Sequence, residues 1–358
     1  MNINKIIICI MAFFMVIGAI DSCIHNKLGL GKQFKKGILS MGQLTLSMSG
    51  LMMLAPVIAS FLTPLIVPIF NFLKADPSIF AGSILGIDMG GYQLACKMAT
   101  NKSLGQFSGI ILSSMMGSTL VYTLPIGLGI IDKKDTFLFA KGILCGIIPI
   151  PVGCFLGGLM MKMSLKTICL NLSPIFLLSI LIILSLKYFP QLIINFFNFI
   201  SKAIVLLSTI TLVIGILREE LGLSFFSKLG SLKNSIQVVA NIAFTLSGSF
   251  CLLAVINKIF KKTLNKFGNI IKINSVSTSG LLASLANNIA MFEMAKEMDD
   301  KGKVVNFAFC VSGSFILGDH LGFTAVVAPN MLLPMIISKA VSSVLAVILA
   351  LQATKKIS

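Results

Sequence analysis

The chain has 358 residues, of which 56% are hydrophobic and 11% charged, and its mean hydropathy is +0.99. That balance excludes a soluble globular fold. The net charge of +17 is carried almost wholly by lysine. It is not read as a nucleic-acid footprint, because lysines in the loops of an apolar chain set topology and meet anionic head groups.

Apolar stretches of spanning length follow one another along the chain. They are Ile6–Ile24, Ile38–Ser60, Ile79–Met98, Phe107–Ile131, Phe137–Met161, Ile168–Tyr188, Phe199–Leu217, Ile236–Ile256, Gly280–Ala295, Val304–Ala328 and Met331–Gln352. A helix needs about 20 mostly apolar residues to cross the hydrocarbon, and its backbone polar groups must pair internally there. The sequence therefore predicts an all-α, polytopic helical membrane protein of about eleven transmembrane helices. The first run has only Lys5 as a basic flank and no small-residue cleavage site after it, so it is expected to be retained as a helix. Pro56, Pro64 and Pro68 predict kinks or a helix turning along the interface. In Lys258–Asn274, Phe260, Leu264, Phe267 and Ile271 share one helical face while Lys258, Lys261, Lys262 and Lys266 occupy the rest, a pattern that suits an interfacial helix. Eight cysteines lie mostly inside apolar runs without paired metal-ligand spacing. They read as small buried hydrophobes, and no cofactor or metal is expected.

The chain also aligns with itself at an offset of about 198 positions. Val16-Ile17-Gly18 meets Val213-Ile214-Gly215, Lys36 meets Lys233, Ser49-Gly50 meets Ser247-Gly248, and Gly82 meets Gly280. Ser113 to Thr119 corresponds to Ser314 to His320. This predicts a first membrane repeat at 1–166, a connecting transmembrane helix and linker at 167–198, and a second repeat at 199–358. Five crossings per repeat plus one connector would leave the repeats in the same orientation. An inverted pair needs one element to count differently, for example as a re-entrant hairpin. Both arrangements remain open at this level.

Most of the twelve acidic residues sit at loop positions, but two do not. Asp88 stands in Gly86-Ile87-Asp88-Met89-Gly90-Gly91, and Asp319 in Gly318-Asp319-His320-Leu321-Gly322. A carboxylate at membrane depth costs at least about 2.5–3.5 kcal/mol and marks an ion or substrate path, and flanking glycines let a helix unwind there. In the self-alignment Asp88 falls within a residue of Asn287-Asn288, and Asp319-His320 falls on Ser118-Thr119. Asp88, Thr119, Asn287, Asn288, Asp319 and His320 are therefore expected to converge on one site between the halves. For the Asn and Thr members the competing reading is interhelical hydrogen bonding. Two carboxylates with amides and hydroxyls suit a small cation that carries a hydroxyl. With no tryptophan in the chain, a Trp cage for quaternary amines is excluded. There is no HExxH motif and no nucleophile at motif spacing beside Asp319-His320, so an enzyme is not expected.

At these motifs the chain resembles the ethanolamine-utilisation membrane permeases of bacteria. The residues carrying the likeness are Asp88-Met89-Gly90-Gly91, Ser114-Met115-Met116-Gly117 with Thr119, and Ala286-Asn287-Asn288 with Met291-Phe292. Gly302-Lys303-Val304 and Gly318-Asp319-His320-Leu321-Gly322-Phe323 complete the set. The resemblance implies uptake of ethanolamine across the bacterial cytoplasmic membrane for catabolism inside the cell; it supplies no assignment of binding residues. Passive facilitation is expected, since no separate sodium-site pattern is visible. The alternative is an ion-coupled transporter of another small cation, such as a sodium–proton antiporter.

Overall fold

A computed structural model describes residues 3–222 and 228–355. Among them every regular element is a helix. In chain order these are α1 (Ile3–Cys23), α2 (Leu30–Phe72), α3 (Ser78–Ile84), α4 (Tyr92–Met98), α5 (Lys102–Ile130), α6 (Lys133–Met160) and α7 (Leu165–Tyr188). After them come α8 (Pro190–Leu221), α9 (Leu232–Ile271), α10 (Ser275–Ala286), α11 (Asn288–Met294), α12 (Asp300–Gly313), α13 (Asp319–Val327) and α14 (Leu332–Ala353).

Eight helices among the described residues are long and apolar enough to cross a membrane. They correspond to eight of the eleven apolar stretches. The other three, Ile79–Met98, Gly280–Ala295 and Val304–Ala328, are each broken into two short helices. The breaks fall at 85–91, at Asn287 and at 314–318. Glycine and asparagine account for the first two, and in the third Phe315 takes a left-handed φ of +60°. Gly90 takes a left-handed φ of +85°, and Asn287 is extended with its side chain capping α11.

Two of the broken segments fold back. The Asp76 carboxylate, just before α3, accepts hydrogen bonds from the Thr100 amide (3.0 Å) and hydroxyl (2.6 Å), just after α4. The chain between them therefore goes in and returns. Asp299, after α11, likewise accepts from the Asn274 amide before α10 (2.9 Å) and from the Ser277 hydroxyl (2.9 Å). α3–α4 and α10–α11 are thus hairpins whose feet are tied by one carboxylate each.

The two feet lie on opposite sides. Gln106, at the start of α5 and next to the first foot, bonds Asn330 at the end of the α12–α13 crossing, and Asn330 bonds Asn4 at the start of α1. The second foot adjoins the start of α12, where Lys303 pairs with Asp135 at the start of α6 (2.8 Å). Since α5 runs from the first group to the second, and α12–α13 runs back, the hairpins enter from opposite ends of the helices between them.

Small residues let these pieces pack closely. A Cβ on Gly82 would strike the Ser108 carbonyl and hydroxyl, and one on Gly280 would strike the Asn306 amide. Ser108 in turn donates to the Ser78 carbonyl, and Asn306 to the Ser277 carbonyl (2.8 Å). The 40-residue α9 runs unbroken through the stretch read as interfacial. The side chains of Lys261, Lys262, Leu264 and Phe267 lie outside those described.

Candidate substrate site

Both hairpin tips meet the middle of the crossing helices. At the first tip, Gly117 of α5 has no room for a Cβ because the Leu85 carbonyl stands against it, and the Ser113 hydroxyl donates to that carbonyl (2.5 Å). At the second tip, Gly318 is equally crowded by the Ala286 carbonyl. The unwound 314–318 segment pairs with the end of α10 through Phe315 N to Ser284 O (3.0 Å) and Leu317 N to Leu285 O (2.9 Å). α3 and α10 both point their carbonyl ends at this region, the negative pole of a helix and favourable to a cation.

Asp88 lies inside the 85–91 break, ahead of α4, whereas Asp319 follows a break and stands at the start of α13. That position supports an anion, because free N–H groups and the positive helix end face it. Both residues keep partial exposure while their immediate chain neighbours are buried. They are near enough to interact electrostatically with one another. The Asp88 carboxylate shares the space over the Gly86 Cα with the Ser118 hydroxyl. That hydroxyl lies 3.3 Å from His320 Nε2. First-half and second-half polar groups therefore do meet.

The predicted members divide by what their side chains do. His320 is buried, its ring tilted by 40° against that of Phe315 with centroids 4.8 Å apart, and its Nδ1 has no partner among the described residues. Asn287 stays partly exposed; its side-chain oxygen accepts from Ile289 N (2.7 Å), and its side chain lies near Tyr122. Thr119 is turned away from the cavity. Its hydroxyl reaches the Met115 carbonyl (2.7 Å) and the Val311 carbonyl (3.1 Å), so it ties α5 to α12. Asn288 is also engaged between helices, donating to the Thr123 hydroxyl (2.9 Å) and accepting from Ser314. These two fit the interhelical alternative.

Two residues that the sequence reading passed over, Tyr122 and Lys339, also belong to the cluster, with Ser118, which the self-alignment sets against Asp319. Tyr122 lies within electrostatic range of both aspartates. The Ser118 hydroxyl donates to the Ser113 carbonyl (2.9 Å) and lies close to both the Asp88 carboxylate and His320. Lys339, placed with the loop lysines by composition, is wholly buried in α14; its Nζ donates to the Ser114 carbonyl (2.6 Å) and interacts with Asp88. Tyr122 carries no distinguishing sequence signal. Lys339 does, since it stands eight residues into an apolar run and the depth argument used for aspartate applies to it equally. No group of three or more His, Cys, Asp or Glu among the described residues could hold a metal ion.

Comparison with known proteins gives one consistent result. A family profile described as "Ethanolamine utilisation protein, EutH" matches residues 3–353. A "Probable ethanolamine permease EutH" of Listeria monocytogenes is 48% identical, over 97% of this chain and 93% of that protein. The identically named protein of Salmonella typhimurium is 38% identical over 99% and 97%. "Uncharacterized protein YxeR" of Bacillus subtilis is 41% identical over 97% and 94%. No solved structure matches the chain.

Proposed function

The chain belongs to the ethanolamine utilisation protein EutH family, and on that premise we propose that it is a multi-pass permease of the bacterial cytoplasmic membrane that moves protonated ethanolamine. The observation carrying this reading is the convergence of Asp88 and Asp319, from different halves, at partly exposed positions beside an unpartnered His320 nitrogen. An ammonium is held by a carboxylate in a low-dielectric cavity. The amine's hydroxyl can donate to His320 Nδ1 and accept from the Asn287 amide or the Tyr122 hydroxyl. Charged ethanolamine crosses lipid poorly, so a lined path matters most when external amine is scarce or the medium is acidic.

Alternating access follows from an inverted arrangement of the two repeats. Its support is the opposite placement of the hairpin feet, together with contacts that recur at the repeat offset, Gly82 with Ser108 and Gly280 with Asn306. With both hairpins counted as re-entrant, each half contributes four crossings and α7 the connector. That odd connector places the second half upside down relative to the first. The parity difficulty met in the sequence then disappears.

Uptake of labelled ethanolamine into proteoliposomes, measured against pH and with imposed sodium or proton gradients, tests the reading. Saturable uptake that follows the concentration of the protonated amine and ends at equal concentrations inside and out is expected when no potential is imposed. Sodium-driven proton flux without amine uptake would refute it in favour of antiport.

A further inference from the structure

The cluster contains a cation that the proposed function leaves idle. Lys339 lies near the middle of α14 with 0% exposure. Its hydrogen bond goes to the Ser114 carbonyl of α5, and its charge interacts with Asp88. Ser114 is one turn from Ser118, whose hydroxyl sits with the Asp88 carboxylate at Gly86. The ammonium is therefore tied to α5 beside the first hairpin, while Asp319 stands at the start of α13 next to His320, on which Lys339 also acts. Asp319 has no hydrogen-bonding donor among the described residues, and the lysine that acts on it, Lys36, is exposed and screened by solvent.

The fixed charges of the cavity can then be summed. The count takes Asp88 and Asp319 as carboxylates and Lys339 as an ammonium, the forms in which their charges offset one another. His320 has one partner for Nε2 and none for Nδ1, so a buried imidazolium would leave one N–H unpaired, and the neutral ring is the form this geometry supports. The net charge is one negative unit, which a single ammonium cancels. A diamine or a divalent metal ion would leave a positive charge uncompensated in a low-dielectric cavity, and exclusion by an unpaired buried charge is a strong form of selectivity.

We infer that Lys339 is a specificity-determining residue: held by Ser114 within electrostatic reach of Asp88, it sets the charge of the cluster so that Asp319 receives one singly charged amine and dications are excluded. The inference rests on the proposed amine substrate and adds to it the class of cation rejected.

The test uses an isosteric pair, aminopropanol with one positive charge and diaminopropane with two, as competitors of labelled ethanolamine uptake in proteoliposomes. Wild-type protein is expected to be inhibited by the amino alcohol and at least about 100-fold less well by the diamine. In Lys339→Met the cavity gains a negative charge, and the preference should move toward the diamine by at least about tenfold. Asp88→Asn with Lys339→Met restores the original charge and should restore the wild-type preference. A ratio that stays within about twofold of wild type in Lys339→Met, or a double variant that behaves like the single one, overturns the assignment. If the single variant fails to fold, the double variant decides. A folded double variant with wild-type discrimination supports the inference, and loss of both makes Lys339 a structural tie and overturns it. Wild-type vesicles that take up no ethanolamine refute the substrate reading itself, whereas ethanolamine uptake with an unshifted ratio refutes only the role of the lysine.

Discussion

A carboxylate that binds a cation and one that holds a fold are told apart by their partners. Asp76 and Asp299 are surrounded by N–H and O–H donors. Asp88 and Asp319 instead face partly open space. Asp319→Asn keeps the size and removes the charge. Since an interaction with a charged partner contributes about 1.5–3 kcal/mol, it should weaken ethanolamine binding by roughly 10- to 150-fold, read as a rise in KM at normal expression. Full retention of uptake in this variant would reduce Asp319 to scaffolding. Thr119→Val is the contrasting case, because the Thr119 hydroxyl serves only the Met115 and Val311 carbonyls. Its expected cost is about 1 kcal/mol of stability, seen as a modest fall in thermal midpoint in detergent, with KM unchanged.

The hairpins are short elements that depend on their ends. α3 and α4 have seven residues each, too short to be stable alone, and α3–α4 is closed at its foot by Asp76 and seated at its tip against Gly117. Asp76→Ala removes the acceptor for the Thr100 and Ser78 groups and leaves buried donors unpaired. A loss of about 2–4 kcal/mol is expected, with faster proteolysis or hydrogen exchange confined to 76–100. Gly117→Ala drives a methyl into the Leu85 carbonyl and should unseat the tip, abolishing uptake while α9 and α14 stay protected. Wild-type transport by the Gly117→Ala protein would show that the tip contact is dispensable.

At the scale of the whole molecule, opposed hairpins make a symmetric prediction. Single cysteines at Asn101, beside the first foot, and at Lys301, beside the second, placed in a background without the eight native cysteines, should react with a membrane-impermeant thiol reagent from opposite sides of oriented vesicles. Labelling of both from one side would overturn the inverted arrangement. The Lys303–Asp135 pair joins α12 to α6 on the second side with both side chains 6% exposed. Lys303→Met alone should destabilise the protein by about 3–5 kcal/mol by leaving a buried carboxylate unpaired. Exchanging the two residues, Lys303→Asp with Asp135→Lys, should recover much of that stability, measured as the thermal midpoint.

The sequence by itself determined the class of the molecule. Runs of about 20 apolar residues leave the backbone no partner but itself in lipid, so they must be helical; eight of the eleven predicted stretches form spanning helices and the other three pairs of short ones. It also determined which acids are out of place, because the cost of a charge at depth belongs to the residue and its flanks. Tertiary structure decided the rest. Whether a glycine-interrupted run crosses or turns back is not written in its own composition. It is decided by Asp76 meeting Thr100 and Asn274 meeting Asp299, residues some 25 positions apart that only folding brings together. The same holds for Thr119 and Asn288, whose polar groups are matched by Val311, Thr123 and Ser314 on other helices. It holds for Lys339, whose partners, Ser114 and Asp88, lie more than two hundred residues earlier in the chain. Hydropathy is a local property of the chain, whereas the partner of a buried polar group is a property of the packing.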